Sequence, residues 1–342
     1  MKNLILSVFL TVSISCLAQD YLSQNYIKGG TDEVYAQRNM CIGKNGNIYA
    51  VGMYNGTFGI QGDTITGGGI YLVKLTSDLT LVWLKKVASG VSEGSLSGPR
   101  IMVALDNEEN VLIGFSEWGG SNLKYDDSII TNTTNVELIK LDSSGTRLWR
   151  TAVAGSNRLG EKGLAVDKQN NILITGKNST DDVFLSKYDK NGNELWYKTA
   201  GVSGTNKEDM GRVVTTDKDN NIYTAGQLFG IGNIETAYFG THQVALPASC
   251  YDPTYLAKYA ADGTLQWMQY LYSDEPTKYP MYYGSSTITS LECFEDGTLA
   301  VGGYFTNQQL LFSKDYPLVE KNGVFPNGGT RASFLARFGA NG

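Results

Sequence analysis

A chain of 342 residues, 42% hydrophobic and 11% aromatic, is long enough to bury a sizeable core. Its 28 basic residues are scattered, its net charge is -6 and its pI is about 5.0, which argues against nucleic acid or an anionic membrane as partner. Forty glycines against seven prolines, with no long amphipathic helical pattern, point to short strands and tight turns.

At the N-terminus, Lys2, an apolar run from Leu4 to Leu10 that continues weakly to Leu17, and small residues before Gln19 predict a secretory signal peptide over residues 1–18, cleaved after Ala18. The alternative is a lipoprotein acylated at Cys16, against which stands Ser13, where such signals usually carry an aliphatic residue. The expected location is therefore outside the cytoplasm: secreted, at the cell surface or periplasmic. Residues 19–342 hold no apolar stretch long enough to span a bilayer. Cys41, Cys250 and Cys293 remain without CxxC spacing, so neither a disulfide framework nor a zinc site is expected. Cys41 and Cys293 fall on equivalent strands and read as buried small hydrophobes, with a bridge between neighbouring blades as the alternative.

From residue 34 onward one unit recurs five times. Each begins with an apolar run and a turn: Lys44–Asn47, Asn107–Asn110, Lys168–Asn171, Lys218–Asn221 and Glu295–Thr298. Asn and Gly in these turns tolerate the left-handed conformations that hairpins need. A second strand (IYAVG, VLIG, ILITG, IYTAG, LAVGG) ends in Gly and leads to a variable insert. The third strand is YLVKL, VELIKL, FLSKY, YLAKY or FLARF, followed by another turn and a run holding Trp83, Trp149, Trp196 or Trp267.

Four short antiparallel strands with two apolar faces cannot bury themselves, whereas stacking such sheets around an axis buries both. The expected fold is an all-β, five-bladed β-propeller of four-stranded antiparallel blades, forming one domain over residues 19–342. The blades span about 34–90, 91–155, 156–204, 205–273 and 274–342. The last unit stops after its third strand, and the N-terminal stretch YLSQNYIKGG resembles a fourth strand, so residues 20–30 are expected to complete the last blade and close the ring. A β-solenoid is the competing fold, but its rungs are shorter and lack hairpin turns.

The units LAVDKQNNILITG with FLSKYDKNGNELW, and VTTDKDNNIYTAG with YLAKYAADGTLQW, resemble the bacterial β-propeller repeat family often called SBBP. The resemblance covers nearly all of the chain after the signal peptide. It implies a blade architecture in secreted and surface proteins, and it specifies little about function. The D-x-x-G-x-x-x-W hairpin is also similar to quinoprotein blades, but no other part of a quinone site accompanies it.

Two charged positions repeat. Lys74, Lys140, Lys187, Lys258 and Arg337 share a third-strand position and are expected to lay their stems on a blade face, reaching turn carbonyls or Asp106, Asp167 and Asp217. Arg38, Arg100, Lys162 and Arg212, with Thr289 in the fifth unit, stand near the start of the innermost strand, where four cations around one mouth would suit an anionic group. Glu33, Glu93, Glu161, Glu208 and Asp209 lie just upstream and could neutralise them, or serve as carboxylates for acid–base chemistry or calcium. Asp217 and Asp189 open segments like the start of an EF-hand loop, which lack its later Gly and closing Glu and so read as turns. His242 is the only histidine, which disfavours His-rich metal sites and a Ser-His-Asp triad; no cofactor or metal is expected.

Length variation is confined to the loops between strands two and three and between blades, which emerge on one face. The insert is short in unit three (Lys177–Asp182) and long in units four (Gln227–Thr254) and five (Thr306–Ser333). These loops carry Trp118, Phe229, Tyr238, Phe239, Tyr251, Phe305, Phe312, Tyr316 and Phe325, with Tyr282 and Tyr283 between blades four and five. Exposed, such aromatics suit a sugar ring or a protein partner; folded down, they cover the blade that bears them. The expected function is a monomeric, non-catalytic binding module for a glycan or protein, with Trp118, Tyr282, Tyr283, Arg38, Arg100, Lys162 and Arg212 as candidate ligand-binding residues. The alternatives are a glycoside hydrolase or lyase with Glu161 and Asp209 at the channel mouth, and a structural spacer in a longer surface protein.

Overall fold

The structure, a computed structural model, describes residues 27–29, 34–54, 56–89, 100–116, 123–125, 128–130, 135–203, 208–229, 235–246, 252–273, 286–305, 309–312, 317–320 and 332–342. The expected signal peptide, Cys250, Trp118, Tyr282 and Tyr283 lie outside the described residues. All described regular elements are strands.

After β1 (Ile27–Gly29), the first blade runs β2 (Val34–Ile42), β3 (Ile48–Tyr54), an insert hairpin β4 (Thr57–Ile60) and β5 (Asp63–Thr66), then β6 (Gly69–Leu75) and β7 (Leu81–Ala88). The second runs β8 (Arg100–Leu105), β9 (Val111–Ser116), the insert pair β10 (Leu123–Tyr125) and β11 (Ser128–Ile130), β12 (Val136–Leu141) and β13 (Arg147–Val153). The third is β14 (Ser156–Val166), β15 (Ile172–Asn178), β16 (Val183–Tyr188) and β17 (Glu194–Val202). The fourth is β18 (Met210–Thr216), β19 (Ile222–Gln227), the insert hairpin β20 (Glu235–Phe239) and β21 (His242–Leu246), β22 (Thr254–Tyr259) and β23 (Leu265–Ser273). The fifth is β24 (Ser286–Cys293), β25 (Leu299–Phe305), the insert pair β26 (Gln309–Phe312) and β27 (Pro317–Glu320), and β28 (Ala332–Phe338).

Blades one to four are four-stranded antiparallel meanders and the fifth has three described strands, as the repeat predicts. The chain divides into two compact units, Met1–Ser97 with Gly120–Thr133, and Gly98–Gly119 with Thr134–Gly342. In the second unit the inner strands lie side by side in the order β8, β14, β18, β24, with a parallel bridge between Lys162 and Val213. This radial arrangement of meanders is that of a β-propeller.

The turns work as their composition predicts. Gly46, Glu109, Asn170, Asn220 and Gly297, each third in its turn, take a left-handed φ of 64–78°. Asp106, Asp167 and Asp217 each accept two main-chain N–H groups and the side-chain amide of Asn110, Asn171 or Asn221. The EF-hand-like segment at Asp217 is thus a capped turn.

The repeated Lys and Trp form one latch between blades. Lys140 Nζ and Trp149 Nε1 both donate to Lys190 O in the next blade's turn, at 3.2 and 3.1 Å. Lys187 and Trp196 share Ala261 O at 3.1 and 3.4 Å, and Lys258 and Trp267 share Ala340 O at 3.4 and 3.2 Å. A Cβ at Gly263, which has φ +83°, would come within 3.1 Å of the Trp196 ring, so this turn residue makes room for the preceding blade's indole. Lys140 also pairs with Asp106 at 2.8 Å and Lys187 with Asp167 at 2.9 Å, as the snorkelling expectation has it. Lys258 lies over the Tyr223 ring instead, while the Tyr223 hydroxyl donates to Asp217.

The inserts depart from expectation. Their main chains join the preceding blade, β20 pairing with β17 (Ala200↔Phe239) and β26 with β23 (Leu271↔Phe312), while the Phe239 side chain also covers Tyr255 of its own blade. In the first unit β4 pairs with β1, and Lys124 of β10 exchanges both main-chain bonds with Ser89 beyond β7. Outer strands need a partner along their free edge, and for β7, β17 and β23 the next insert supplies it; β13, followed by a blade without insert strands, ends its sheet.

Candidate functional site

The repeated cation position on the inner strands coincides with a β-bulge in four of the five blades; Arg100, which opens β8, pairs in unbroken register with Ser116. In β18 the register steps from Gly211↔Gly226 to Val213↔Ala225, leaving Arg212 as the extra residue. In β24 the extra residue is Thr289, which is exposed. In β14 pairing jumps from Leu159↔Gly176 to Leu164↔Ile174, so Gly160, Glu161, Lys162 and Gly163 together face Thr175. In β2 of the first unit, Ala36 to Arg38 face Gly52. A bulge turns a side chain out of the pleat, here at the end where the inner strands begin. Gly160 is required by close approach: a Cβ there would stand 2.5 Å from Gly211 O and 2.7 Å from Arg212 O.

Three of the seven candidate residues come together at this end of the second unit. Arg100 Nη2 lies 2.7 Å from Glu161 Oε1, and Arg212 Nη1 contacts the same oxygen. Arg100 Nη1 donates to Leu159 O at 3.0 Å and faces Met210 Sδ at 3.4 Å; Arg212 Nη2 donates to Gln227 Oε1 at 2.6 Å. Lys162 Nζ donates to Ser290 Oγ of β24 at 3.0 Å. The Arg100 and Arg212 side chains are 16% and 19% exposed and that of Glu161 is 37% exposed, so one half-open acidic side chain bridges two largely buried arginines. Burial, reinforced by repulsion from Arg158 and Arg212, brings Arg100 down to about 10 against the pull of Glu161, so it stays protonated at neutral pH. Arg212 Nε is buried with no hydrogen-bond acceptor.

The other acidic candidates behave differently. Asp209 is fully buried and accepts the Val202 and Phe229 amides at 2.7 and 2.5 Å. Tyr238, in the insert, donates to Asp182 Oδ1 at 2.6 Å, and burial together with Asp182 pushes its hydroxyl pKa up. Asp182, Asp209 and Tyr238 thereby close over Gly201 and pin the β20–β21 hairpin to the preceding blade. Glu208 is exposed, and Glu33 and Glu93 lie outside the described residues.

Of the loop aromatics, Phe239 and Phe305 are buried, Phe239 edge-on to Tyr255 at 5.3 Å and Phe305 tilted on Phe334 at 6.4 Å. The crevice between Val183, Leu185, Ala200, Phe239, Tyr255 and Tyr259 is too narrow for a water molecule. His242 sits on β21, exposed, and Cys41 and Cys293 are half-buried thiols.

No protein-family profile matches the chain. An uncharacterized WD repeat-containing protein of Acanthamoeba polyphaga mimivirus is 25% identical over 176 residues, which covers 39% of this chain and only 13% of that relative. Among solved structures, a protein of unknown function from Dyadobacter fermentans has a TM-score of 0.44 at 10% identity, over 85% of this chain and 82% of its own. Another from Bacteroides caccae has a TM-score of 0.41 at 12% identity, over 86% and 83%. Likeness at this level assigns no chemistry, which rests on the residues themselves.

Proposed function

We propose that this chain is an exported, non-catalytic binding module of the SBBP-like repeat type, holding its ligand on the end where inserts emerge and inner strands begin. One observation carries the reading: the inserts are strands added to a neighbouring blade, not loose loops. Their bases adjoin the inner-strand starts, as in the pairs Met210↔Gln227 and Ser286↔Phe305. A rigid rim around a polar, cation-bearing mouth suits recognition. Replacing Glu235–Leu246 by a short turn is expected to abolish ligand retention on a glycan or protein array while circular dichroism stays that of a β-protein; undiminished retention would place the ligand elsewhere. The hydrolase or lyase alternative has less support, because Glu161 is committed to two guanidiniums and Asp209 to two main-chain amides.

We also propose that the five blades close into a ring through the N-terminal segment. β1 pairs with the insert of blade one as the outer strands β17 and β23 pair with the next insert, so it stands in an outer strand's place. Among the described residues β28 pairs only with β25, and Leu335 is 80% exposed where Leu72, Leu138, Leu185 and Leu256 are buried. Leu335→Ser is expected to cost about 2 kcal/mol or more, as at a core leucine. A change within about 0.5 kcal/mol in urea unfolding would contradict closure.

A further inference from the structure

We propose that the Arg100–Arg212 pair is a recognition site for the acid group of an acidic polysaccharide, a carboxylate or sulfate ester, and that Glu161 occupies it as a tethered stand-in until that group displaces it. The proposal rests on the binding-module reading and names its ligand class.

The geometry is that of two guanidinium forks converging on one oxyanion. Both use Glu161 Oε1, so the site already selects an acceptor oxygen at the point where the two cations meet. Glu161 leaves the pair positive: two guanidiniums share its one carboxylate, Lys162 follows in the same bulge, and Arg212 Nε is buried without an acceptor. An oxyanion with two or three terminal oxygens could satisfy more of these donors than Glu161 Oε1 does. Glu161 is the most exposed member of the triad, so it is the group an incoming anion can replace.

The surroundings favour a saccharide over an acidic peptide. Gln227 offers an amide beside Arg212, and Ser290 and the exposed Thr289 offer hydroxyls on the neighbouring inner strand, partners matched to sugar hydroxyls. The chain's net charge of -6 opposes non-specific attraction of a polyanion, so retention of one requires a local site.

The test measures binding of dextran sulfate, polyglucuronate, neutral dextran and polyglutamate to the exported chain and to variants whose melting temperatures are recorded in parallel. Glu161→Gln removes the competing charge and is expected to tighten dextran sulfate or polyglucuronate binding about threefold to tenfold. Arg100→Gln with Arg212→Gln is expected to lose at least about tenfold. Should that double variant melt early, Arg100→Lys, which keeps the charge but not the fork, serves instead and is expected to weaken binding. Unchanged or weaker binding by Glu161→Gln overturns the stand-in role, and indifference to the arginine changes overturns the site. Polyglutamate bound as tightly as the polysaccharides overturns the saccharide class. Retention of neutral dextran alone would overturn the anion site while leaving the binding-module reading standing; retention of no polysaccharide would overturn the saccharide ligand, and that reading would then be judged by the insert replacement.

Discussion

Replacing Arg150 by methionine is expected to destabilise the fold by about 3–5 kcal/mol, because it strands a carboxylate in the core. Glu137 on β12 is fully buried, and its partner is Arg150 on the adjacent strand, Nε to Oε2 at 2.9 Å. That contact falls short of hydrogen-bond geometry, and neither Glu137 oxygen has a hydrogen-bond donor. In blade three the same two positions hold Phe184 and Tyr197, stacked with ring centroids 5.8 Å apart. One chain thus solves one packing problem twice, by an ion pair and by an aromatic pair. The double change Glu137→Phe with Arg150→Tyr is therefore expected to fall within about 1 kcal/mol of the parent or above it, since a buried ion pair is often replaced by apolar side chains at no loss. Urea unfolding of the single and double variants reads both effects. A mild loss in Arg150→Met would mean that Glu137 reaches water.

The same residue gives a pH dependence of known sign. Burial raises the Glu137 pKa, and Arg150 only partly offsets it. A carboxyl whose folded pKa lies above its unfolded value contributes full stability below the unfolded value and loses it as pH rises through the folded one. Relative to Glu137→Gln, the parent should therefore become progressively less stable from about pH 4 upward.

Asp167→Ala is expected to be about as damaging, at about 3–5 kcal/mol. The Lys187 and Asp167 side chains are 3% and 0% exposed, so removing the acid leaves an ammonium buried. The turn also loses the caps on Gln169 and Asn171, and the latch to Ala261 loses its anchored lysine. In blade five Phe294 stands where Asp167 does, and the third-strand cation Arg337 pairs instead with Asp296, two residues further on, at 2.7 Å but 61% and 56% exposed. Asp296→Ala should give only a small fraction of the Asp167 effect, because solvent screens that pair. Equal effects would show that pair geometry outweighs burial.

Features recurring once per blade were legible in the sequence. Asp at the first turn and Gly at the second in blades two to four, Trp on the fourth strand of blades one to four, and the third-strand cation of all five recur at fixed spacing, so strand and role can both be read from them. What depends on register was hidden. Nothing in the GEKG segment at Gly160–Gly163 announces that four residues face Thr175 alone, nor does the insert sequence say that β20 joins the preceding blade. The cations near the inner-strand starts were visible, but the meeting of Arg100 and Arg212 on Glu161 depends on the bulges that place Glu161 and Arg212. The buried ion pair does leave a trace in the sequence: Tyr71, Phe184, Tyr255 and Phe334 stand three residues before the repeated cation, and only the second unit has Glu there.

The most direct test of the central claim is to incubate the chain from Gln19 to Gly342 with a panel of neutral and acidic polysaccharides and assay the same wells for retained protein and for released sugars. Retention without release is the expected result. Release of sugars, abolished by a single change at Glu161 or Asp209, would contradict it and make the mouth a catalytic centre.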